Sequence, residues 1–413
     1  MNQLFQATKD ASRDVRRLTD GRRSELLMAL ADRIEKSERT IIEANRLDLS
    51  RMDPANPLYD RLLIDGHRLR GIASDMRAVA SLPSSLGRVL KESELPNGLK
   101  IKKISVPFGV IGVIYEARPN VTFDVFSLCF KAGSACILKG GHDAADTNAA
   151  AVDIIKSALA DAGIDPDAVN ILPGSRESTA EMLNAVGYVD LVIPRGGRKL
   201  IDFVRDNARV PCIETGAGVV DTYFDAAGDL DIGKAIVLNA KTRRVSVCNA
   251  LDCLVLHSSR LCELPALVAP LAAKSVIIYA DSPAFDALAG SYPSELLEHS
   301  SDDTYGTEFM DFKLAVKTVD SIDGALAHIA AYGSGHSEAI VTEDSSAAQR
   351  FRDEVDAACV YVNAPTSFTD GAQFGLGAEI GISPQKLGAR GPMGLEEITT
   401  CKWLIDGHGQ TRP

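Results

Sequence analysis

The chain has 413 residues, of which 46% are hydrophobic and 24% charged, and its formal net charge is −12. Because one domain usually spans about 100–200 residues, this length predicts two or three domains. The acidic balance argues against nucleic acid or an anionic membrane as a general partner, so an anionic substrate would need a local cationic pocket. No signal-like segment opens the chain, and no apolar run approaches the roughly 18 residues of a membrane span, which predicts a cytoplasmic protein.

The cysteines and histidines show no metal-binding pattern. Eight cysteines are scattered along the chain without a C-x-x-C pair, and the seven histidines include no H-E-x-x-H pair. This usage favours thiols over disulfides or a zinc cage. The sequence therefore predicts no bound metal.

The first ninety residues read as helical. Leu26, Leu27, Leu30 and Ile34 fall on one face of a helix, between largely charged positions, and Ser24 is the expected N-cap. Residues 99–106 then alternate apolar with polar side chains, as an edge strand does. Such a strand could pair with another subunit or with a later segment of the same chain.

From residue 108 onward, strands alternate with helices. The expected strands cover residues 108–115, 135–139, 169–172 and 189–193, and the expected helices cover residues 119–131, 144–162 and 179–185. This alternation predicts a doubly wound α/β domain, which binds ligands at the carboxyl ends of its strands. A second α/β unit is expected from Gly228 to about Tyr361, with strands at 311–319 and 338–341 and helices at 230–239 and 322–332.

Two glycine pairs follow predicted strands of the first unit. They are Lys139-Gly140-Gly141 and Arg195-Gly196-Gly197. Glycine lets a phosphate or ribose approach the backbone, and the adjacent cation offers charge to a phosphate. Glycine after a strand is also common in plain turns, and the chain has no G-x-G-x-x-G fingerprint.

One cysteine lies in surroundings that suit a reactive thiol. Lys241, Arg243 and Arg244 precede Cys248, and a β-prone segment follows it, so Cys248 is expected at a turn entering a strand. Positive charge favours the nucleophilic thiolate over the thiol, whose reference pKa is about 8.5. The alternative is an inert, buried cysteine. Glycine-rich segments at 366–377 and 388–394 are expected to form loops that can close over a site.

Several motifs together resemble the aldehyde dehydrogenase superfamily and, within it, the glutamate-5-semialdehyde dehydrogenases, also called γ-glutamyl phosphate reductases. The motifs that carry the resemblance are residues 109–122, 193–197, 239–249, 360–364, 373–379 and 389–396. The resemblance runs from the amino-terminal helices to the end of the chain.

The resemblance implies an α/β, aldehyde dehydrogenase-like fold with three parts. These are a cofactor-binding domain (1–93 and 108–227), a catalytic domain (228–362) and a small oligomerisation element (94–107 and 363–413). It also implies the NADPH-dependent reduction of L-glutamyl 5-phosphate to L-glutamate 5-semialdehyde and phosphate in proline biosynthesis. Cys248 matches the catalytic cysteine, whose thiolate attacks the acyl phosphate to form a thioester that hydride reduces.

Asn120 matches the family asparagine whose amide, with the backbone N–H at the cysteine, stabilises the developing oxyanion. Its alternative role is that of a helix cap or a turn residue beside Pro119. Glu308 resembles the glutamate that holds the nicotinamide ribose, and Lys139 is positioned for the adenosine ribose or its 2′-phosphate. A solvated surface side chain is the alternative for each. Glu214 falls where many aldehyde dehydrogenases carry a general base, with a structural or substrate-amine role as its alternative.

The cations Arg118, Arg243 and Arg244, together with Asn363, are assigned to the substrate, since arginine binds phosphate and carboxylate through paired hydrogen bonds. Surface salt bridging is the alternative for the arginines. The sequence departs from the family pattern at three positions. Val245 stands where the family usually has proline, Lys139 where arginine is common and Asp221 where histidine is common. If Asp221 lies near the substrate, its negative charge would oppose a bound phosphate. If it lies on the surface, the change from histidine has no consequence.

The expected partners are the small-molecule substrate, further copies of the chain in a homo-oligomer, and a glutamate 5-kinase that could channel the labile acyl phosphate. Two other functions stay open at this stage. One is a non-phosphorylating aldehyde dehydrogenase, in which Glu214 activates a water that hydrolyses the thioester. The other is a catalytically silent, nucleotide-binding scaffold, which the presence of Cys248 and Asn120 disfavours.

Overall fold

The computed structural model describes residues 1–54, 56, 59–116 and 118–412. Its α-helices are α1 (Asn2–Arg17), α2 (Asp20–Lys36), α3 (Glu38–Leu49), α4 (Tyr59–Leu62), α5 (Gly66–Ser81), α6 (Asn120–Lys131), α7 (Ala145–Asp161), α8 (Arg176–Leu183), α9 (Arg198–Asn207), α10 (Leu230–Thr242), α11 (Leu264–Ala272), α12 (Ser282–Leu288), α13 (Ile322–Tyr332) and α14 (Ser345–Glu354). Its strands are β1 (Val89–Glu94), β2 (Lys100–Pro107), β3 (Val110–Tyr115), β4 (Ala135–Lys139), β5 (Val169–Ile171), β6 (Leu191–Arg195), β7 (Asp221–Phe224), β8 (Cys253–His257), β9 (Ile277–Ala280), β10 (Leu297–His299), β11 (Lys313–Val319), β12 (Ser337–Val341), β13 (Cys359–Val362), β14 (Ile382–Ser383), β15 (Gly391–Pro392) and β16 (Thr399–Asp406).

These elements form two compact units. The first contains Met1–Thr215, Gly375–Gly381 and Leu387–Pro413, and the second contains Gly216–Phe374 and Ile382–Lys386. Each unit has an α/β architecture, which confirms the predicted fold class. Within the described ranges, no helix combines the length and the apolar character that crossing a bilayer requires.

The amino-terminal helices form as their apolar pattern predicts, but the predicted cap of α2 is wrong. Thr19 caps this helix, and its side chain accepts a hydrogen bond from the Arg22 N–H. Thr19 has the extended backbone of an N-cap, whereas Ser24 lies a full turn inside the helix. The Ser24 hydroxyl instead donates to the Ala80 carbonyl at 2.8 Å.

A four-stranded parallel sheet forms the centre of the first unit. Its strand order is β5-β4-β3-β6, so the chain begins in the middle, moves outward to β5 and then returns to the other side of β3. All six residues of β3 are buried, as expected for a strand covered on both faces. Ligands of such sheets bind where the strand order reverses, at the carboxyl ends of β3 and β6.

The first unit also contains a three-stranded antiparallel sheet with the order β1-β2-β16. The sequence predicted an edge strand near residues 99–106, and this is wrong, because β2 lies between its two partners. Of the two pairings considered for this strand, the structure shows the one with a later segment of the chain, since all eight residues of β16 pair with β2.

The second unit is built on a seven-stranded parallel sheet. Its order is β10-β9-β11-β8-β7-β12-β13. Helix α13 has the bounds that the sequence predicts, and α10 extends three residues beyond its expected end. The short strands β7, β9 and β10 were missed because each has only three or four residues.

A buried lysine ties three helices of the first unit together. The Lys131 side chain is 1% exposed, and its ammonium lies 2.9 Å from an Asp20 carboxylate oxygen. It also donates to the Ser24 hydroxyl at 2.7 Å and to the Ala80 carbonyl at 3.2 Å. These bonds replace the water that the ammonium loses on burial and join α6 to α2 and α5.

We expect Lys131→Ala to lower the free energy of unfolding of the first unit by about 2–4 kcal/mol, since three acceptors lose a charged donor. The loss stays below that of a fully buried pair because the Asp20 side chain is 38% exposed. The measurement is urea unfolding followed by fluorescence of the single tryptophan, Trp403, which belongs to this unit.

The matched control is Lys102→Ala, which removes a lysine that is 38% exposed and lies 2.9 Å from Glu92. We expect this exposed pair to contribute about 0–1 kcal/mol. Equal losses in the free energy of unfolding for the two substitutions would show that the buried Lys131 contacts stabilise the unit no more than an exposed ion pair does.

Candidate active site

The Cys248 loop lies in the second unit, between the end of α10 and the start of β8. Cys248 is half-buried and occupies a turn, as the sequence predicted. The next residue, Asn249, is 4% exposed and fixes the loop. Its amide donates to the Thr369 carbonyl at 2.9 Å, and its own carbonyl accepts from the Thr366 hydroxyl at 2.9 Å. The start of the predicted glycine-rich loop therefore anchors the residue beside the cysteine.

A glycine before β7 approaches the backbone of Cys248 so closely that no other residue fits. A Cβ built on Gly218 would overlap the Cys248 carbonyl oxygen and would lie 2.9 Å from its Cα. The Gly218 N–H donates to Glu308 Oε1 at 3.1 Å. Gly218 thus brings Cys248 and Glu308, two residues singled out from the sequence, to one place. The sequence reasoning missed Gly218, although the run Gly216-Ala217-Gly218 was a signal for close backbone approach.

The cations before Cys248 do not act together. Lys241 is fully buried, and its ammonium donates to the Leu251 carbonyl at 2.9 Å and lies 3.9 Å from Asp252. Burial lowers the pKa of Lys241 to about 8. Its charge therefore supports the backbone between the loop and β8, which corrects the expectation that it activates the thiol. Arg243 and Arg244 are exposed.

At the carboxyl end of β4, Lys139 and Gly140 fit an anionic cofactor group. The Lys139 ammonium donates to the Gly174 carbonyl at 3.1 Å, and burial lowers its pKa. A poorly solvated ammonium that faces a neutral carbonyl gains from a phosphate. A Cβ on Gly140 would overlap the Asn148 amide, so the backbone has to be bare there. Gly141 follows it at the start of a short 3₁₀ turn.

The second glycine pair already faces a carboxylate. The Gly197 N–H donates to Glu116 Oε2 at 2.9 Å, and a Cβ on Gly196 would lie 2.7 Å from the same carboxylate. Glu116 thus occupies the amino end of α9 at the point where the strand order reverses. An anion binding to these amides would have to displace Glu116, which the sequence reasoning did not single out. Arg195 lies at the end of β6, 3.9 Å from Glu379.

Asn120 is the first residue of α6 but does not cap it. The cap position belongs to Pro119, and this helix has no side-chain cap, so the capping alternative is wrong. The Asn120 amide instead donates to Asp124 Oδ2 at 3.0 Å. Desolvation, followed by the negative charge of Asp75, raises the pKa of Asp124 to about 7. Asp124 therefore changes charge near neutral pH while it orients the Asn120 amide.

The remaining predicted positions have varied surroundings. The Glu214 carboxylate lies 3.7 Å from Arg205, and Arg118 is half-buried. Asn363 adopts a positive φ of 52°, and its amide bonds both the N–H and the carbonyl of Thr342 at 2.9 Å. These contacts favour a structural role for Asn363 over substrate binding. Asp221 is fully buried, which excludes the surface position considered from the sequence.

Known proteins resemble this chain over its whole length. Residues 1–260 match the aldehyde dehydrogenase family. A γ-glutamyl phosphate reductase from Pelodictyon phaeoclathratiforme is 60% identical over 407 residues, which cover 98% of this chain and 97% of that protein. A protein of the same name from Bacteroides fragilis is 59% identical over 412 residues, which cover 100% of this chain and 99% of that protein.

A solved structure agrees with these similarities. The crystal structure of γ-glutamyl phosphate reductase from Thermotoga maritima superposes with a TM-score of 0.94 at 37% sequence identity. The match covers 100% of this chain and 99% of that chain. This confirms the aldehyde dehydrogenase-like fold and the family that the sequence motifs resembled.

We expect Gly218→Ala to reduce catalytic turnover about 100-fold, because the new methyl group displaces the Cys248 carbonyl and misplaces the thiol. The alkylation rate of Cys248, followed by peptide mass spectrometry, should change with turnover. Alkylation of Cys262, which is exposed, serves as the internal reference. Gly71→Ala is the control variant, since a Cβ there meets nothing within 4 Å. Normal turnover in Gly218→Ala would contradict the close approach.

We also expect turnover of the unmodified chain to rise as the pH increases through about 7, where Asp124 ionises. The variant Asp124→Asn should not show this rise. Ionised Asp124 only accepts hydrogen bonds and so fixes the Asn120 amide in one orientation. The protonated acid can donate to the Asn120 oxygen after an amide flip, which leaves that orientation undefined. The measurement is the pH profile of turnover for both proteins.

Stability supplies an independent check on the sign of this ionisation. The folded pKa of Asp124 lies above its ordinary value of 3.8, so the unfolded chain releases this proton first. Between pH 4 and 7 the unmodified chain should therefore lose stability relative to Asp124→Asn as the pH rises. Parallel stability curves for the two proteins would show that Asp124 titrates normally.

Proposed function

Because the chain belongs to the aldehyde dehydrogenase family, we propose that it reduces L-glutamyl 5-phosphate to L-glutamate 5-semialdehyde and phosphate, with NADPH as the reductant. This reaction is the second step of proline biosynthesis. The observation that carries the proposal is the full-length similarity to γ-glutamyl phosphate reductases at up to 60% identity. The proposal is also supported by the Cys248 loop, which the Asn249 hydrogen bond and the close approach of Gly218 fix in position.

In the proposed reaction, the Cys248 thiolate attacks the carbonyl carbon of the acyl phosphate. A C–S bond forms, the bond from carbon to the phosphate oxygen breaks, and inorganic phosphate leaves with its electron pair. The family implies a nicotinamide cofactor, which when bound supplies the hydride that reduces the thioester. The resulting thiohemiacetal breaks its C–S bond, releasing the aldehyde and returning the thiolate.

Asn120 is proposed as the side-chain donor to the oxygen that becomes negatively charged during these steps. Its amide has two N–H groups, and one of them is bonded to Asp124. The second can then point in a defined direction, which is the pre-organisation that oxyanion stabilisation requires. Loss of one such donor typically lowers turnover by about 10²–10³.

The cofactor would be bound by Lys139, Gly140 and Gly141 at the end of β4, with Glu308 holding the nicotinamide ribose. A 2′-phosphate suits the desolvated Lys139 ammonium, which supports NADP over NAD. The pair Gly196-Gly197, with Arg195, remains a second candidate contact, although Glu116 already bonds the Gly197 N–H.

The substrate's anionic groups are assigned to Arg118, Arg243 and Arg244. The exposure of Arg243 and Arg244, just before the Cys248 loop, is compatible with a role in meeting an incoming anion. Arginine binds both phosphate and carboxylate through two parallel hydrogen bonds. Asn363 is the weakest of the substrate assignments because Thr342 already engages its amide.

Self-association is proposed through the three-stranded sheet of the first unit. Large apolar side chains are exposed there, namely Val89 at 54%, Leu90 at 53%, Trp403 at 48% and Ile405 at 57%. An exposed apolar sheet of this kind is typical of a subunit interface. The predicted domain roles, a glutamate 5-kinase partner and a cytoplasmic location remain predictions of this proposal.

We expect Cys248→Ser to abolish reduction of the acyl phosphate, because a serine hydroxyl is a far weaker nucleophile than a thiolate at neutral pH. The reverse reaction tests the role of phosphate. With glutamate 5-semialdehyde and NADP, cofactor reduction by the unmodified chain should require inorganic phosphate.

Two results would contradict the proposal. Intact turnover in Cys248→Ser would remove the thioester route, with Cys359→Ser as the control for loss of another thiol. Cofactor reduction without phosphate would favour the non-phosphorylating alternative, in which Glu214 would have to activate water.

A further inference from the structure

Three polar side chains form a row across the buried sheet of the second unit. The parallel register pairs Glu338 with Asp221 and pairs Asp221 with Cys253. Residues paired across neighbouring strands project to the same face, about 4.8 Å apart. Two carboxyl groups and a thiol therefore lie side by side on β12, β7 and β8. Glu338 and Asp221 are fully buried, and Cys253 is 3% exposed.

A helix that packs on this sheet brings an imidazole to the row. His328 of α13 is 6% exposed, and its Nε2 lies 3.5 Å from Cys253 Sγ. A carboxylate oxygen of Asp221, the Cys253 sulfur and a His328 ring nitrogen all lie within 4.8 Å of one another. The rings of Tyr305 and Tyr332 contact the imidazole at centroid distances of 5.1 and 4.8 Å and hold its plane.

The carboxyl groups of this cluster lack partners that the buried position demands. Among the described residues, neither Asp221 carboxylate oxygen has a hydrogen-bond partner, nor does Glu338 Oε1, whereas Glu338 Oε2 accepts from the Asp221 N–H at 2.8 Å. Glu338 Oε1 and Asp221 Oδ2 lie 2.9 and 3.5 Å from the position that a Cβ on Gly333 would take, so both point to one spot beside this glycine. Buried polar atoms in folded proteins are nearly always bonded, which indicates a missing ligand.

The charges around the cluster do not balance. Asp221, Glu338 and nearby Asp252 are three buried acids, whereas Lys241, 3.9 Å from Asp252, is the one buried cation beside them in the described chain. Buried charges are paired, coordinate a metal or are neutralised by protonation. A divalent cation bound by Asp221 would neutralise the excess.

We propose that Asp221, Cys253 and His328 form a structural site for a divalent transition-metal ion of the zinc type. The donors are one sulfur, one imidazole nitrogen and one carboxylate oxygen, a set that suits zinc, and the Glu338 carboxyl group lies on the neighbouring strand. In tetrahedral zinc sites, bonds of about 2.3 Å to sulfur and 2.05 Å to nitrogen place these two atoms about 3.6 Å apart. Cys253 Sγ and His328 Nε2 already have this separation, at 3.5 Å.

The competing state of the cluster contains protons in place of the metal. Desolvation and the charge of Asp252 raise the pKa of Asp221 to about 8, and desolvation raises the pKa of Cys253 well above its ordinary value. Without a metal, both groups are therefore largely protonated at neutral pH, and the thiol can hydrogen-bond His328. Metal binding would release these protons.

The position of the site indicates what the ion would do. Asp221 lies three residues after Gly218, and Cys253 lies five residues after Cys248. The ion would therefore cross-link β7, which follows Gly218, and β8, which follows the Cys248 loop. Because all three donor residues are buried, a substrate could not reach the ion, which would therefore have a structural role. This proposal replaces the sequence-based expectation of no metal.

The experiment measures metal in the full-length chain carrying Cys248→Ser, so that the reactive thiol cannot bind the ion, and made without a histidine tag. After removal of metal by a chelator, Zn²⁺ is added back and bound zinc is measured by mass spectrometry after gel filtration. We expect about one equivalent per chain and a higher unfolding temperature. Co²⁺ in place of Zn²⁺ should show the thiolate-to-cobalt charge-transfer band and the intense visible bands of tetrahedral coordination.

Variants then assign the ligands. Adding Cys253→Ser should remove the charge-transfer band, and His328→Gln should lower bound metal at least about tenfold, as for loss of a direct ligand. Cys359→Ser, which replaces another strand cysteine of the same sheet, should leave both unchanged. Should a variant fail to fold, the Co²⁺ spectrum of the parent chain still decides. Absence of zinc uptake and of the cobalt band, or uptake that persists in both variants, would overturn the proposal and leave the protonated cluster.

Discussion

The loop that carries Cys248 depends on one contact between two stretches of backbone. Gly218 approaches the Cys248 carbonyl so closely that the methyl group of an alanine has no space. A side chain can adjust to a neighbour by changing its rotamer, but two backbone segments in direct contact can move apart only if the chain itself shifts. The same glycine donates its N–H to Glu308, so the position of the proposed nucleophile and that of a proposed cofactor ligand are coupled through one residue.

Buried polar groups around this loop have structural roles that composition alone would not suggest. Lys241 supports the carbonyl of Leu251, and Asn249 bonds the backbone of a segment more than one hundred residues later. Each group is desolvated, so the loss of any partner would leave an unsatisfied charge or dipole in the interior. The loop is therefore held by hydrogen bonds of fixed geometry, which suits a nucleophile that has to meet its substrate in one orientation.

Much of this organisation was predictable from the sequence, because hydrophobic patterning is local. The apolar run at residues 108–115 identified β3, which begins at Val110, and the helix predicted at residues 322–332 has the bounds of α13. Cys248 was found from neighbouring charge and strand propensity, although Lys241 contributes none of the predicted activation. Sequence spacing reports which residues share a segment but not which way a flexible side chain points.

What sequence could not predict was long-range pairing. The edge prediction for β2 failed because its second partner, β16, lies some three hundred residues later. Glu116 was overlooked because its contact with Gly197 joins two different strand ends. The cluster of Asp221, Cys253, Glu338 and His328 follows the same rule: its members are as much as 117 residues apart, as between Asp221 and Glu338, and only the register makes them neighbours.

The register also explains why this cluster requires a ligand or protons. In a parallel sheet, every residue of a row faces the same layer of helices, so three polar residues in one row cannot turn away from each other. The covering helix adds His328 and excludes water from the row. A sheet that places two carboxyl groups in such a layer must neutralise them there, and the two available means are protons and a cation. Two members of this buried row, Asp221 and Cys253, lie on the strands that continue from Gly218 and from the Cys248 loop, so a change in the charge of the row acts on the same two strands that position the loop.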